Sequence, residues 1–203
     1  MQRIEHEIAD LVDDALDRGL GSAAAVSVGD GGREVLRLVR GHTRRIPDRG
    51  SAVDERAWFD VASLTKPIVS AASAMVLAGE GRLDLDAPIR SWLPAAASTG
   101  TVRQLLGHAA GCAAHVEFFR AMRAGVVDPR SELVERATRE PAGPPGVTAL
   151  YSDLGYLMLG AILERAGDAP LEDVFARLVA EPLGLAACYP GTGPGTGPGT
   201  GPG

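Results

Sequence analysis

From Ile68 to Leu77 the chain is apolar on nearly every side of a helix, through Ile68, Val69, Ala71, Ala72, Ala74, Met75, Val76 and Leu77. A helix with so little polar face belongs in a core, where other elements enclose it. Gly79 and Gly81 stop it. Its first turn is Ser63-Leu64-Thr65-Lys66-Pro67, so the one polar stretch of this buried helix lies at its entrance.

The flanking patterns indicate what encloses it. Residues 2–18 read as an amphipathic helix, with Ile4, Ile8, Leu11, Val12, Ala15 and Leu16 on one face. Ala23–Val28 and Glu34–Val39 read as two antiparallel strands joined by the glycine-rich turn Gly29-Asp30-Gly31-Gly32-Arg33. A polar loop covers residues 41–57. Helical stretches follow at 101–107, 131–139, 153–166 and 171–180, separated by Gly and Pro punctuation such as Pro141–Gly146. The expected class is α/β (α+β): an antiparallel sheet flanked by helices, plus an all-helical lobe. From Pro190 to Gly203 the chain repeats Gly-Thr-Gly-Pro, a tract with almost nothing to bury. The expected organisation is therefore a domain over 1–189 that lacks its C-terminal sheet strands, and a disordered low-complexity tail over 190–203. Two strands alone make a poor sheet, which favours a truncated chain or fragment over a complete one.

Charge narrows the partners. The formal net charge is −6, and no basic run exceeds Arg44-Arg45, which argues against nucleic acid and against an anionic membrane surface. No sequence run approaches the ~18 apolar residues of a membrane span. The N-terminus lacks a basic start followed by an apolar stretch, so the expected location is cytoplasmic. Cys112 and Cys188 form no Cys-x-x-Cys pair. His42, His108 and His115 lack the spacing of metal ligands, and His108 reads as structural at a helix end. Gly29–Gly32 lacks the strand-then-helix context of a phosphate loop. No metal and no cofactor are expected.

One count stands out. The chain has nineteen arginines and a single lysine, Lys66. Guanidinium stays charged at any working pH, so arginine cannot replace a lysine whose amine must lose its proton. With ten serines in the chain, one falls three residues before that lysine by chance with a probability of roughly 5%. Residues three apart on a helix are neighbours, so Lys66 can accept the Ser63 proton provided burial lowers its pKa. The helix start adds positive potential where an oxyanion would form. Tyr151-Ser152-Asp153 opens a further apolar helix. Tyr151 there is either an acid/base phenol facing a cleft or a core residue, with Asp153 as the helix N-cap.

Phe59-Asp60-Val61-Ala62-Ser63-Leu64-Thr65-Lys66-Pro67 resembles the nucleophile segment of the serine β-lactamase and penicillin-binding-protein superfamily. The match is to its class C β-lactamase, carboxylesterase and D-aminopeptidase branch. Leu83–Ile89, Thr101–His108 with Gly111, Pro145-Gly146, Tyr151–Tyr156 and Glu181–Leu185 resemble later segments of that branch in the same order. The resemblance implies a β-lactamase-like fold and a serine hydrolase acting on a small-molecule ester, amide or β-lactam through an acyl-enzyme. It implies Ser63 as nucleophile, Lys66 as its activating amine and Tyr151 as general acid/base. The position of Asp153, which contacts substrate and lysine, is usually Asn in that branch. An anion there holds Lys66 protonated unless it is neutral or turned away. The family's third motif, a Lys/His-Thr/Ser-Gly strand, has no counterpart after Leu185. The alternative expectation is an inactive fragment, or a non-catalytic ligand-binding or interaction descendant.

Overall fold

The computed structural model describes residues 2–120 and 128–185. The chain divides into two compact units, Met1–Asp60 and Val61–Gly203. The tail expected over 190–203 lies outside the described residues.

The first unit holds helix α1 (Gln2–Asp17) and strands β1 (Ala23–Asp30) and β2 (Arg33–Gly41). The strands pair antiparallel from Ala23↔Gly41 to Val28↔Leu36, with a bulge between Val28 and Gly29. Gly31 and Gly32 turn the hairpin at φ 55° and 79°, backbone that glycine adopts without steric cost. α1 packs mainly on β2. Ile8, Val12, Ala15 and Leu16 are half-buried, while Ile4 and Leu11 remain exposed. Among the described residues these two strands are the whole sheet.

The second unit is helical. Its entrance differs from the regular helix that the sequence suggests. Ala62–Leu64 is a 3-10 turn, Lys66–Ala71 a π-helix and Ala72–Gly79 the α-helix α2. Nor is this stretch enclosed all round. Val69, Ser70, Ser73, Ala74 and Leu77 are buried, whereas Leu64, Ile68 and Met75 are exposed. The buried side packs against helix α6 (Asp153–Gly167) and the π-turn Ala176–Ala180. The eighteen residues Ala62–Gly79 are, contrary to the sequence reading, long and apolar enough to match a membrane span by length and composition. Their burial against α6 equally fits a core helix.

Helices α3 (Ile89–Trp92), α4 (Val102–Leu106), α5 (Pro129–Arg139), α7 (Leu171–Phe175) and α8 (Glu181–Leu183) complete the unit. α6 is its centre. Leu154, Met158, Leu159, Ile162 and Leu163 are almost wholly buried and share one core with Leu77, Ile89, Leu105 and Val174. Each such side chain stabilises the fold by about 1.5–3 kcal/mol through burial. Two of these helices, α4 and α5, have N-termini capped by side chains. Thr101 and Gln104 form a reciprocal capping box on α4, and Asp128 accepts from Ser131 N–H on α5.

Candidate active site

The loop before α6 is the first determinant of the site. Gly143, Gly146 and Leu150 donate backbone N–H bonds to Gly111, Ala109 and His108 in turn, and Asp153 N–H donates to Ala114. The segments 108–114 and 143–153 are thus laced together, and the second delivers Tyr151 and Asp153 beside Lys66. Glycine is needed at Gly111. Its φ is +76°, and a Cβ there would strike the backbone carbonyl of Gly143.

Ser152, not Asp153, caps α6. Its Oγ accepts from Gly155 N–H at 3.0 Å and donates to Ala113 O at 2.6 Å. Both residue types cap helices well, and the second bond to Ala113 selects the serine. Asp153 is left to face the lysine. Lys66 Nζ lies 2.8 Å from Asp153 Oδ1 and 3.4 Å from Ser63 Oγ. The same nitrogen sits over the Tyr151 ring, 4.9 Å from its centroid, and 5.7 Å from that of Tyr156. Ser63, Lys66, Tyr151 and Asp153, all singled out from the sequence, are therefore brought together.

Ala62, immediately before Ser63, has φ 44°. A non-glycine residue there costs on the order of 1–3 kcal/mol, and such strain concentrates at functional sites. The tight turn followed by a wide π-helix is a second local irregularity of the same kind.

The electrostatics depart from the simple expectation for Lys66. Desolvation pushes its pKa down, but the hydrogen bonds and charges of Asp153 and Tyr151 outweigh that, and the net direction is upward. Asp153 is held below the usual carboxylate range, first by its bond to Lys66 and also by His115. It is thus an anion turned toward the amine. Tyr151 moves down through hydrogen bonds to Lys66 and then Ser63. The Lys66 ammonium and a more acidic Tyr151 form one coupled pair around Ser63.

Three residues to which sequence reasoning gave no part in the site also belong here. His108, at φ 55°, accepts Ser152 N–H on Nδ1 at 3.0 Å and stacks near Tyr151 and Tyr156 at 4.6 and 4.9 Å. An acceptor at Nδ1 marks a neutral ring, and burial followed by the Lys66 charge lowers its pKa. Tyr156 donates to Leu106 O at 3.1 Å, and packs as a wall of the lysine pocket. His115 Nδ1 lies 3.1 Å from Asp153 Oδ2. Its separation of 38 positions from Asp153 left no local signal.

Among the described residues, no group of three His, Cys, Asp or Glu side chains has the disposition to hold a metal ion. A groove of about 810 Å³ lies elsewhere, lined by Leu93, Arg130, Val134, Glu164 and Asp168 among others, and none of the four site residues lines it. Ser63 and Tyr151 are both exposed at the surface.

A serine hydroxyl, a lysine amine and a phenol thus converge at one place on a mixed helix-and-strand fold. The β-lactamase family profile matches residues 8–196, and the chain belongs to that family. It is 34% identical over 191 residues to the esterase EstB of Burkholderia gladioli, across 85% of this chain and 47% of that one. An N-acetylmuramyl-L-alanine amidase of Bacillus subtilis is 26% identical over 91% of this chain and 44% of its own. The solved structure of EstCE1, a hydrolase with promiscuous acyltransferase activity, superposes with a TM-score of 0.72 at 28% identity, covering 91% of this chain and 52% of that one. The chain spans about half the length of the curated relatives it matches. The β-lactamase-like fold read from the sequence is thereby established, with a small antiparallel sheet.

Proposed function

We propose that this chain carries the acylating half of a serine hydrolase, in which Ser63 attacks a carbonyl carbon of a small ester, amide or β-lactam. The observation that carries this is the convergence of Lys66 Nζ on Ser63 Oγ at 3.4 Å, with the same nitrogen over the Tyr151 ring. Asp153 favours the ammonium form of Lys66, and Lys66 in turn lowers Tyr151. With Tyr151 acting as the phenolate beside the Lys66 ammonium, the Ser63 proton passes to the Tyr151 oxygen as the Oγ–C bond forms, and Lys66 stabilises the charge. Tyr151 then protonates the leaving group as the scissile bond breaks, leaving an acyl-Ser63 ester. Water, deprotonated by the same phenol oxygen, adds to the acyl carbon; the Oγ–C bond then breaks, Ser63 Oγ takes the proton back from Tyr151, and the acid leaves. The esterase and amidase names among the relatives support a carbonyl substrate with either leaving atom.

The test is intact-protein mass after incubation with a fluorophosphonate and, separately, with a penicillin. One adduct per chain, absent in Ser63→Ala and much slower in Lys66→Ala, is the expected result. A folded sample that forms no adduct with either reagent would sink the hydrolase reading and favour a ligand-binding or inactive descendant of the family.

A further inference from the structure

His115 completes a line of contacts that starts at Ser63. Asp153 uses one oxygen for Lys66 and the other for His115, at 2.8 and 3.1 Å. The carboxylate only accepts, so the hydrogen between His115 Nδ1 and Oδ2 belongs to the imidazole. The backbone fixes the same junction. Asp153 N–H donates to Ala114 O, and Ser152 Oγ donates to Ala113 O. Three consecutive residues, Ala113 to His115, thereby grip Ser152 and Asp153. Lys66 is well covered, while Asp153 and His115 are progressively more open, with side chains 16%, 40% and 60% exposed.

We propose that His115 is a positioning residue that sets the charge of Lys66 through Asp153. Its N–H draws part of the carboxylate's charge away from the amine, so Asp153 holds the Lys66 proton less firmly than an unshared carboxylate would. The other groups facing Lys66 among the described residues are Ser63, Tyr151 in the loop before α6, Tyr156 on α6 and His108 after α4. None of these bonds Asp153 Oδ2, so His115 acts there on its own. The anion that faces Lys66 is thus tempered by an imidazole on its other oxygen. The proposal rests on the reading of Ser63 and Lys66 as the reacting pair, but its measurement does not.

Because Lys66 is the chain's one lysine, protein grown with isotope-labelled lysine gives a single side-chain NMR signal, and its titration reports the amine directly. In His115→Ala the Lys66 midpoint moves to higher pH, by about two- to fivefold in proton concentration, as suits a contact this exposed. His115→Asn, whose amide N–H can stand where Nδ1–H stood, restores the wild-type midpoint. His115→Ala introduced into Asp153→Asn leaves the midpoint where Asp153→Asn alone puts it. A merely structural role for His115 would leave the midpoint unmoved. An unmoved or lowered midpoint in His115→Ala, no rescue by Asn, or an undiminished effect without the carboxylate would each overturn the proposal. Loss of adduct formation in wild type would instead strike the hydrolase reading and leave these titrations standing.

Discussion

Replacing Asp153 by Asn tests the electrostatics of the site most directly. The Lys66–Asp153 contact is 2.8 Å long. Two unit charges at that distance attract by about 1.5 kcal/mol at water's dielectric constant, and by ~6 kcal/mol at an effective constant of ~20. Asp153 is 40% exposed, and solvent screens such pairs heavily, so the lower figure governs. About 1.4 kcal/mol is a factor of ten in proton affinity. The carboxylate raises the lysine, so its removal moves the Lys66 midpoint to lower pH, at roughly ten times the proton concentration. The single-lysine NMR titration measures this without any substrate. Acylation gives the second readout. If the Lys66 cation is the working form, the rate falls as pH rises through the Lys66 midpoint, and Asp153→Asn shifts that alkaline limb down in step with the NMR signal. An NMR midpoint that stays put would refute the electrostatic account. A moving midpoint with a stationary limb would show that the cation is not what activates Ser63.

The same contact has a consequence for stability. Asp153 is held below its ordinary range, so its contribution is present above that range and lost as pH falls through the lowered value. Wild type should therefore lose up to about 1 kcal/mol relative to Asp153→Asn on acidification below the usual carboxylate range, read by urea melts across pH. Ser73 is wholly buried, and its hydroxyl has no hydrogen-bond partner among the described residues. Ser73→Ala should raise stability by about 1 kcal/mol, since an unpaired hydroxyl costs its desolvation and alanine favours the helix. A loss in the urea midpoint would mean the hydroxyl is bonded after all. Gly111→Ala should cost at least about 1–2 kcal/mol for left-handed backbone, with acylation falling as Tyr151 shifts. Gly143→Ala is its control, because a Cβ there meets Gly111 O at an ordinary 3.8 Å; equal losses in both would contradict the close-approach argument.

Much of this architecture was visible in local patterns. α1 follows its apolar periodicity, the hairpin its glycine turn, and α6 starts at the Ser152-Asp153 pair. Ser63 and Lys66 meet because they stand three positions apart within one turn. What was not visible depends on contacts distant in the chain. Hydropathy showed that Ile68 to Leu77 could be buried, but not that α6 would cover one side and leave Met75 exposed. Sequence reasoning named Asp153 as the cap of α6, but Ser152, whose type accepts N–H bonds as well, takes that place. The choice is made by Ala113 O, which takes the serine hydroxyl. His115 was weighed only as a metal ligand, because its partnership with Asp153 exists only once the loops at 108–114 and 143–153 are laced together.

That lacing explains why the candidate site can be formed without the sheet. Ser63, Lys66, Tyr151, Asp153, His108 and His115 all lie after Asp60, within the second unit, whose core is centred on α6. The lysine is oriented by α6 through Asp153, and the phenol by the backbone bonds of its own loop. None of those bonds uses a β-strand. Ser63, Lys66, Tyr151 and Asp153 are therefore held together by α6 and by the bonds between the loops at 108–114 and 143–153. Such an arrangement predicts unequal losses. Gly111→Ala should disturb the charge of Lys66, whereas Gly143→Ala, whose Cβ makes only an ordinary contact, should leave its titration unaltered.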